Sequence, residues 1–159
     1  EKIFIVKENE LNKEQQEFVT RYYEDEVSTN IIPLMIESIP NFPSLRDKSI
    51  YLAVVMWKKE SALKRKYALI EIPTVLNRFV LLPSPRPDEH HIILLEDVIR
   101  FNLPEIFSFF GYDQYSSYIF KVTRDAEIDI DNDIHTSIIQ KLEKALKNRK
   151  KGNEYYKNN

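Results

Sequence analysis

The stretch KVTRDAEIDIDND, from Lys121 to Asp133, carries the densest set of chemically capable side chains in the sequence. Asp129, Asp131 and Asp133 have the first, third and fifth positions of a calcium-binding loop. The pattern then fails. The sixth position is Ile134 where the sharp turn needs glycine, and the twelfth is Gln140 where a bidentate glutamate belongs. A plainer reading fits better. Acids ahead of a helix offset its positive N-terminus, by about 0.3–1 kcal/mol each when exposed. Asp131 or Asp133 can also cap free backbone N–H groups. No metal is expected here.

The three histidines are His90, His91 and His135. The first two are adjacent and the third is remote, so the paired helical spacing of zinc hydrolases is absent. A catalytic histidine needs an orienting carboxylate. Glu89 is adjacent, but the sequence gives it no fixed geometry. Surface loop positions are the expectation for His90 and His91. Arg124 sits near the end of an extended segment, on the same side as Phe120 and Val122, with Lys121 on the other. An arginine there pairs with a carboxylate or faces an anionic partner, and Arg78 poses the same choice. Structural pairing is favoured for both, because buried charges are rarely left alone. Lys141, Lys144, Lys147, Arg149, Lys150 and Lys151 form a basic tail. It suits the negative C-terminal end of a helix better than it suits a nucleic acid.

These groups must be positioned by elements that the pattern makes visible. Ile3–Val6 reads as a short strand. Leu11 to Val27 reads as a helix, with Leu11, Phe18, Tyr22 and Val27 near one face. Asn30 to Pro43 holds three prolines and reads as a connector. Ser49–Lys59 and Lys66–Pro73 are β-rich and form a hairpin across ESALKR. Arg78–Pro83 is a third strand, Ser84–His91 a Pro-rich loop, and Ile93–Phe110 one or two short helices broken near Pro104. Ser117–Asp125 is a fourth strand. A long C-terminal helix follows from about Asp133 to Lys151. Its stripe is Ile134, Ile138, Ile139, Leu142, Ala145 and Leu146, and Gly152 stops it. The expected class is α+β: one domain over 1–159, with an antiparallel or mixed sheet and packed helices.

Bulk composition narrows the function classes. With 159 residues, 43% apolar and 30% charged, the chain is globular and long enough for a sizeable core. Two glycines are too few for a Gly-rich phosphate loop. The lack of cysteine removes disulfides, thiolate nucleophiles and Cys-bound zinc, and it fits a reducing cytoplasm. A net charge of −2 gives no global pull on nucleic acid, and none is expected as a partner. No apolar run suits a membrane span or a secretory leader. The start at Glu1 and the polar end YYKNN suggest a piece of a longer protein. By its residues alone, the chain holds no self-contained active site.

Several segments nevertheless match a known pattern in order and spacing. They are KYALIEIPTVLNRFVLLP, IILLEDVIRFNLPEIF, and IFKVTRDAEIDIDND followed by a helix ending KNRKKG, with NIIPLM after the first helix. Together they resemble the middle, or head, domain of bacterial polyphosphate kinase of the first type, over nearly the whole chain. The resemblance implies a parent enzyme that reversibly moves the terminal phosphate of ATP to polyphosphate. It does so through a phosphohistidine, with magnesium, in a cytoplasmic enzyme open to membrane association. That histidine and most nucleotide contacts belong to C-terminal domains, and another contact belongs to a small N-terminal helical domain. This chain resembles neither, so no catalytic role passes to His90, His91 or His135, and no cofactor is expected in it. The implied role is structural: packing on the remaining domains and taking part in homo-oligomer contacts. Arg78, Lys121 and Arg124 are the candidates for a polyphosphate path or an interface. Two other readings stand beside it: a free-standing protein-interaction module, and a nucleic-acid binder using the basic tail.

Overall fold

The computed structural model describes residues 2–36 and 44–123, and beyond these only Gln140 and Lys144, both helical. The long C-terminal helix expected from about Asp133 therefore lies outside the described residues, as do Arg124, the three spaced aspartates and His135. The elements run β1 (Lys2–Ile5), α1 (Lys13–Tyr22), β2 (Leu34–Ile36), β3 (Ile50–Lys58), β4 (Ser61–Glu71), β5 (Phe79–Leu82), β6 (Glu89–Leu94), α2 (Leu95–Phe101), α3 (Leu103–Ile106) and β7 (Gln114–Lys121). The α+β class stands, with the strands in two sheets rather than one. Three strands, β1-β6-β5, form a mixed sheet in which β1 runs parallel to β6. Four strands, β2-β4-β3-β7, form an antiparallel sheet.

The four-stranded sheet is buried on both faces at its centre. Along β3, residues Tyr51 to Met56 are all buried. Leu52, Val54 and Met56 point to one core, with Ala68 and Ile70 of β4, the helices, and the inner face of the three-stranded sheet (Val80, Leu82, Ile93). Tyr51, Ala53 and Val55 point to a second core with Ile36, Leu45, Leu69 and Val122. An unbroken apolar run such as YLAVVMW is what a strand covered on both sides requires.

Helix α1 starts with a reciprocal cap: the Asn12 side chain accepts from the Gln15 N–H at 2.9 Å, and the Gln15 side chain accepts from the Asn12 N–H at 3.2 Å. Its inward row is Leu11, Gln15, Val19, Tyr23 and Val27, all buried. The expected row included Phe18 and Tyr22, which stack at 6.1 Å between ring centroids and are only half-buried. The difference has a local cause. A spacing of four drifts by about 40° per step on an ideal helix of 3.6 residues per turn. A π-helical turn over Tyr23–Val27 winds more slowly and keeps Tyr23 and Val27 on the core side.

Three other expectations are corrected. ESALKR is not a loop: β4 begins at Ser61, and only Lys59 and Glu60 turn the hairpin. Glu89, His90 and His91 belong to β6 rather than to a Pro-rich loop, because β1 and β5 pair with that strand on both sides. Leu34–Ile36, read as connector, adds a short strand to β4. The break expected near Pro104 falls at Asn102, between α2 and α3, with Pro104 in the first turn of α3. Gly111 follows with φ +66°, a left-handed turn suited to glycine, leading into β7.

Candidate functional site

The densest polar cluster in the described residues lies where β6 hands over to α2. Glu96 and Asp97 are buried in the first turn of that helix, at 3% and 6% exposure. Arg78, just before β5, donates from Nη2 to Glu96 Oε1 at 2.6 Å and from Nε to both carboxylate oxygens at 3.2 Å. Its own amide frame is fixed as well, since the Leu95 N–H donates to the Arg78 carbonyl at 2.8 Å. The hydrogen bond to Glu96 holds the Arg78 guanidinium above its already high ordinary pKa, against a smaller opposing effect of burial.

One turn on, Arg100 gathers three partners. Its Nη1 donates to Asp97 and lies 3.6 Å from Glu8, while its Nε donates to Ser117 Oγ of β7 at 2.8 Å. Burial pushes the Asp97 carboxyl up, Arg100 pulls it down, and Glu8 and Glu96 add to the rise, with a net shift upward. A carboxyl whose folded pKa exceeds its unfolded value binds more protons in the folded chain. Its stabilising contribution is present at low pH and falls as pH climbs from the ordinary aspartate value through the raised one. Asp97→Asn is therefore expected to remove a drop in stability on the acid side of neutrality. Urea unfolding from about pH 3.5 to 7 checks this. The variant should show a flatter profile, and an unchanged profile would contradict the assignment.

His91 falls into a structural role. Gln15, buried beneath β5 and β6, donates from its amide nitrogen to the Pro83 carbonyl at 3.0 Å. The same nitrogen lies 2.9 Å from His91 Nδ1, so this ring atom accepts. The other ring nitrogen stands 3.7 Å from Glu89. The ring also meets Phe4 edge-on at 5.4 Å between centroids. A histidine held on three sides ties α1 to β6. Gln15 is the residue that sequence reasoning missed, although its place three residues after Asn12 is the signal of a cap.

The other candidates do not converge. Lys121 is exposed at the end of β7, opposite Ile50, while Arg78 is committed to Glu96 in the other sheet. Phe120 and Val122 do share a side: Phe120 stacks on Tyr51 at 5.7 Å and Val122 is buried in the second core. Among the described residues no three His, Asp or Glu side chains are placed to hold a metal. No described helix is long and apolar enough to cross a membrane. Arg78, Glu96, Asp97 and Arg100 tie two strands to one helix.

The comparisons with known proteins place the chain in a family. Residues 14–155 match the family model described as the polyphosphate kinase middle domain. The chain is 39% identical over 151 residues to polyphosphate kinase of Vibrio vulnificus, covering 92% of this chain and 21% of that protein. It is 34% identical over 147 residues to polyphosphate kinase of Bacillus cereus, covering 91% of this chain and 20% of the relative. The crystal structure of polyphosphate kinase from Porphyromonas gingivalis superposes with a TM-score of 0.70 at 29% identity, covering 80% of this chain and 20% of that one. The chain thus spans about a fifth of the length of the relatives it matches. A match of the family model over almost all of the chain makes it a member of the polyphosphate kinase family, corresponding to the family's middle domain.

Proposed function

We propose that this chain is the structural domain of a polyphosphate kinase, packing through the outer face of its three-stranded sheet onto the remainder of the polypeptide. One observation carries the reading. Ile3 and Ile5 of β1 and Phe79 and Leu81 of β5 are 68%, 64%, 64% and 62% exposed. They flank Ile92 and Leu94 of β6 on one face, while the opposite face is core. Apolar runs such as IFIV and FVLL suit strands covered on both sides, as β3 is. In this chain β5 is covered on one side only, and β1 is exposed along its whole length, with Phe4 at 42% on the side away from Ile3 and Ile5. A contiguous apolar sheet face of this kind marks an interaction surface.

The occupant we commit to is another part of the same polypeptide. The relatives are about five times longer than this chain, which leaves most of such a polypeptide available to cover the face. On this reading the parent enzyme moves the terminal phosphate of ATP reversibly to polyphosphate. Its phosphohistidine, magnesium and nucleotide contacts lie outside this chain. Phosphoryl transfer depends on positioning and charge stabilisation, and a packed frame supplies the first. A contact with a second copy of the enzyme is the competing use of the same face.

The test is Ile5→Glu with Leu81→Glu in the full polypeptide. Phosphate transfer to polyphosphate should fall by about tenfold or more, because two buried, unpaired charges cost several kcal/mol at a packed face. Protease sensitivity at the domain junctions should rise while the subunit count stays constant. Unchanged transfer and unchanged proteolysis would refute the packing role. Loss of the oligomer alone would move the face to the subunit interface.

A further inference from the structure

The hairpin that joins β3 to β4 runs past the end of β7. The last β3–β7 pair is Trp57 with Gln114, and among the described residues β2 pairs with β4 at Tyr67, Ala68 and Leu69. Residues 58–66, KKESALKRK, therefore extend beyond the last paired residue of β7. They carry five cations, Lys58, Lys59, Lys64, Arg65 and Lys66, against one carboxylate, Glu60, in a chain whose net charge is −2. All five are exposed or half-exposed. Within the body of the domain, Arg46, Arg78, Arg86 and Arg100 each lie within 4 Å of a carboxylate. Among the described residues none of the five hairpin cations makes such a pair.

The arm is built rather than loose. The Lys59 N–H donates to Asp113 Oδ1 at 2.9 Å, which pins the turn to the approach to β7. The Arg65 guanidinium sits 6.0 Å from the Trp57 ring centroid, so the ring holds it over one face of the hairpin. Along β4, Lys64 and Lys66 share the opposite face, roughly 7 Å apart at the usual strand rise. Cations on an edge strand often serve only to block edge-to-edge pairing. That purpose accounts for a single lysine on either side of the turn. It does not call for five cations within nine residues against one carboxylate.

We propose that this hairpin binds linear polyphosphate, through backbone-type charge contacts from Lys58, Lys59, Lys64, Arg65 and Lys66. The proposal rests on the family reading above, since polyphosphate is the polyanion that the relatives' name specifies. A flexible polymer with about one charge per phosphate suits a ridge of unpaired cations on both faces of a narrow arm. It needs no enclosed pocket. Binding of this kind releases counterions and weakens steeply with salt.

The experiment uses the full polypeptide and sodium polyphosphate of one defined chain length, with binding measured across a salt series. The variant is Lys64→Gln, Arg65→Gln and Lys66→Gln together, and Lys13→Gln with Arg21→Gln on α1 serves as a control of similar charge change. The hairpin variant should bind about tenfold more weakly at low salt, with a log–log salt slope shallower by about 2, at some 0.7 per cation removed. The control should match the unaltered protein. Equal affinity and equal slope for the hairpin variant would overturn the proposal. So would a variant that keeps its polyphosphate affinity but loses subunit assembly, which would make the arm a protein contact. If the unaltered polypeptide bound no polyphosphate at low salt, the family reading itself would fall, separately from the hairpin.

Discussion

Phe107→Ala should lower the stability of the domain by about 3–5 kcal/mol, the usual cost of truncating a fully buried phenylalanine. Phe107 is 1% exposed and follows α3, where its ring meets Phe110 at 6.1 Å and Tyr115 of β7 at 6.5 Å. It joins the helical layer to the four-stranded sheet, so no single element can relax into the vacated space. A domain of this size is stable by only about 5–15 kcal/mol, and the variant should sit near the edge of folding. Urea unfolding should show a much lower midpoint with an unchanged slope. A loss under about 1 kcal/mol would mean that the two layers are less tightly joined than the burial of Phe107 implies.

Arg78→Ala is the second large effect, and it separates two roles for this residue. Glu96 has a side chain 4% exposed, and Arg78 is its partner at 2.6 Å. Removing the arginine leaves a carboxylate buried without its charge. The cost should be about 2 kcal/mol, below the roughly 3–5 kcal/mol of a fully buried pair because the Arg78 side chain is itself half-exposed. Arg78→Lys keeps the charge but loses the fork that meets both carboxylate oxygens, so it should recover only part of the loss. Thermal unfolding of Arg78→Ala and Arg78→Lys checks both parts. Reduced polyphosphate affinity at full stability would instead make Arg78 a contact for the polymer.

Much of this was legible in the chain, and the exceptions have separate causes. The run YLAVVMW announced a strand, and Leu11 to Val27 announced a helix, because each pattern is local. The face of that helix was misjudged by one residue, since only a π-helical turn keeps Tyr23 and Val27 inward. Strand β6 was hidden because EHH follows three prolines in SPRPD and its predecessor, and only pairing with β1 and β5 makes it a strand. Gln15 looked like a solvent-facing residue until Pro83 and His91 came beside it through the fold. The basic hairpin was in plain sight as KKESALKRK. It read as a short polar connection because nothing local reveals that the hairpin runs past the last pair of β7.

The exposed sheet face bears most directly on the structural role of the domain. Hydroxyl-radical footprinting of the full polypeptide, without added polyphosphate, compares Phe79 and Leu81 with Leu63. In this chain the three are 64%, 62% and 100% exposed. The expected result is strong protection of Phe79 and Leu81 while Leu63, at the hairpin, is labelled freely. Labelling of all three in proportion to these exposures would leave the apolar face uncovered in the whole protein, and would contradict the domain's role as a packed frame.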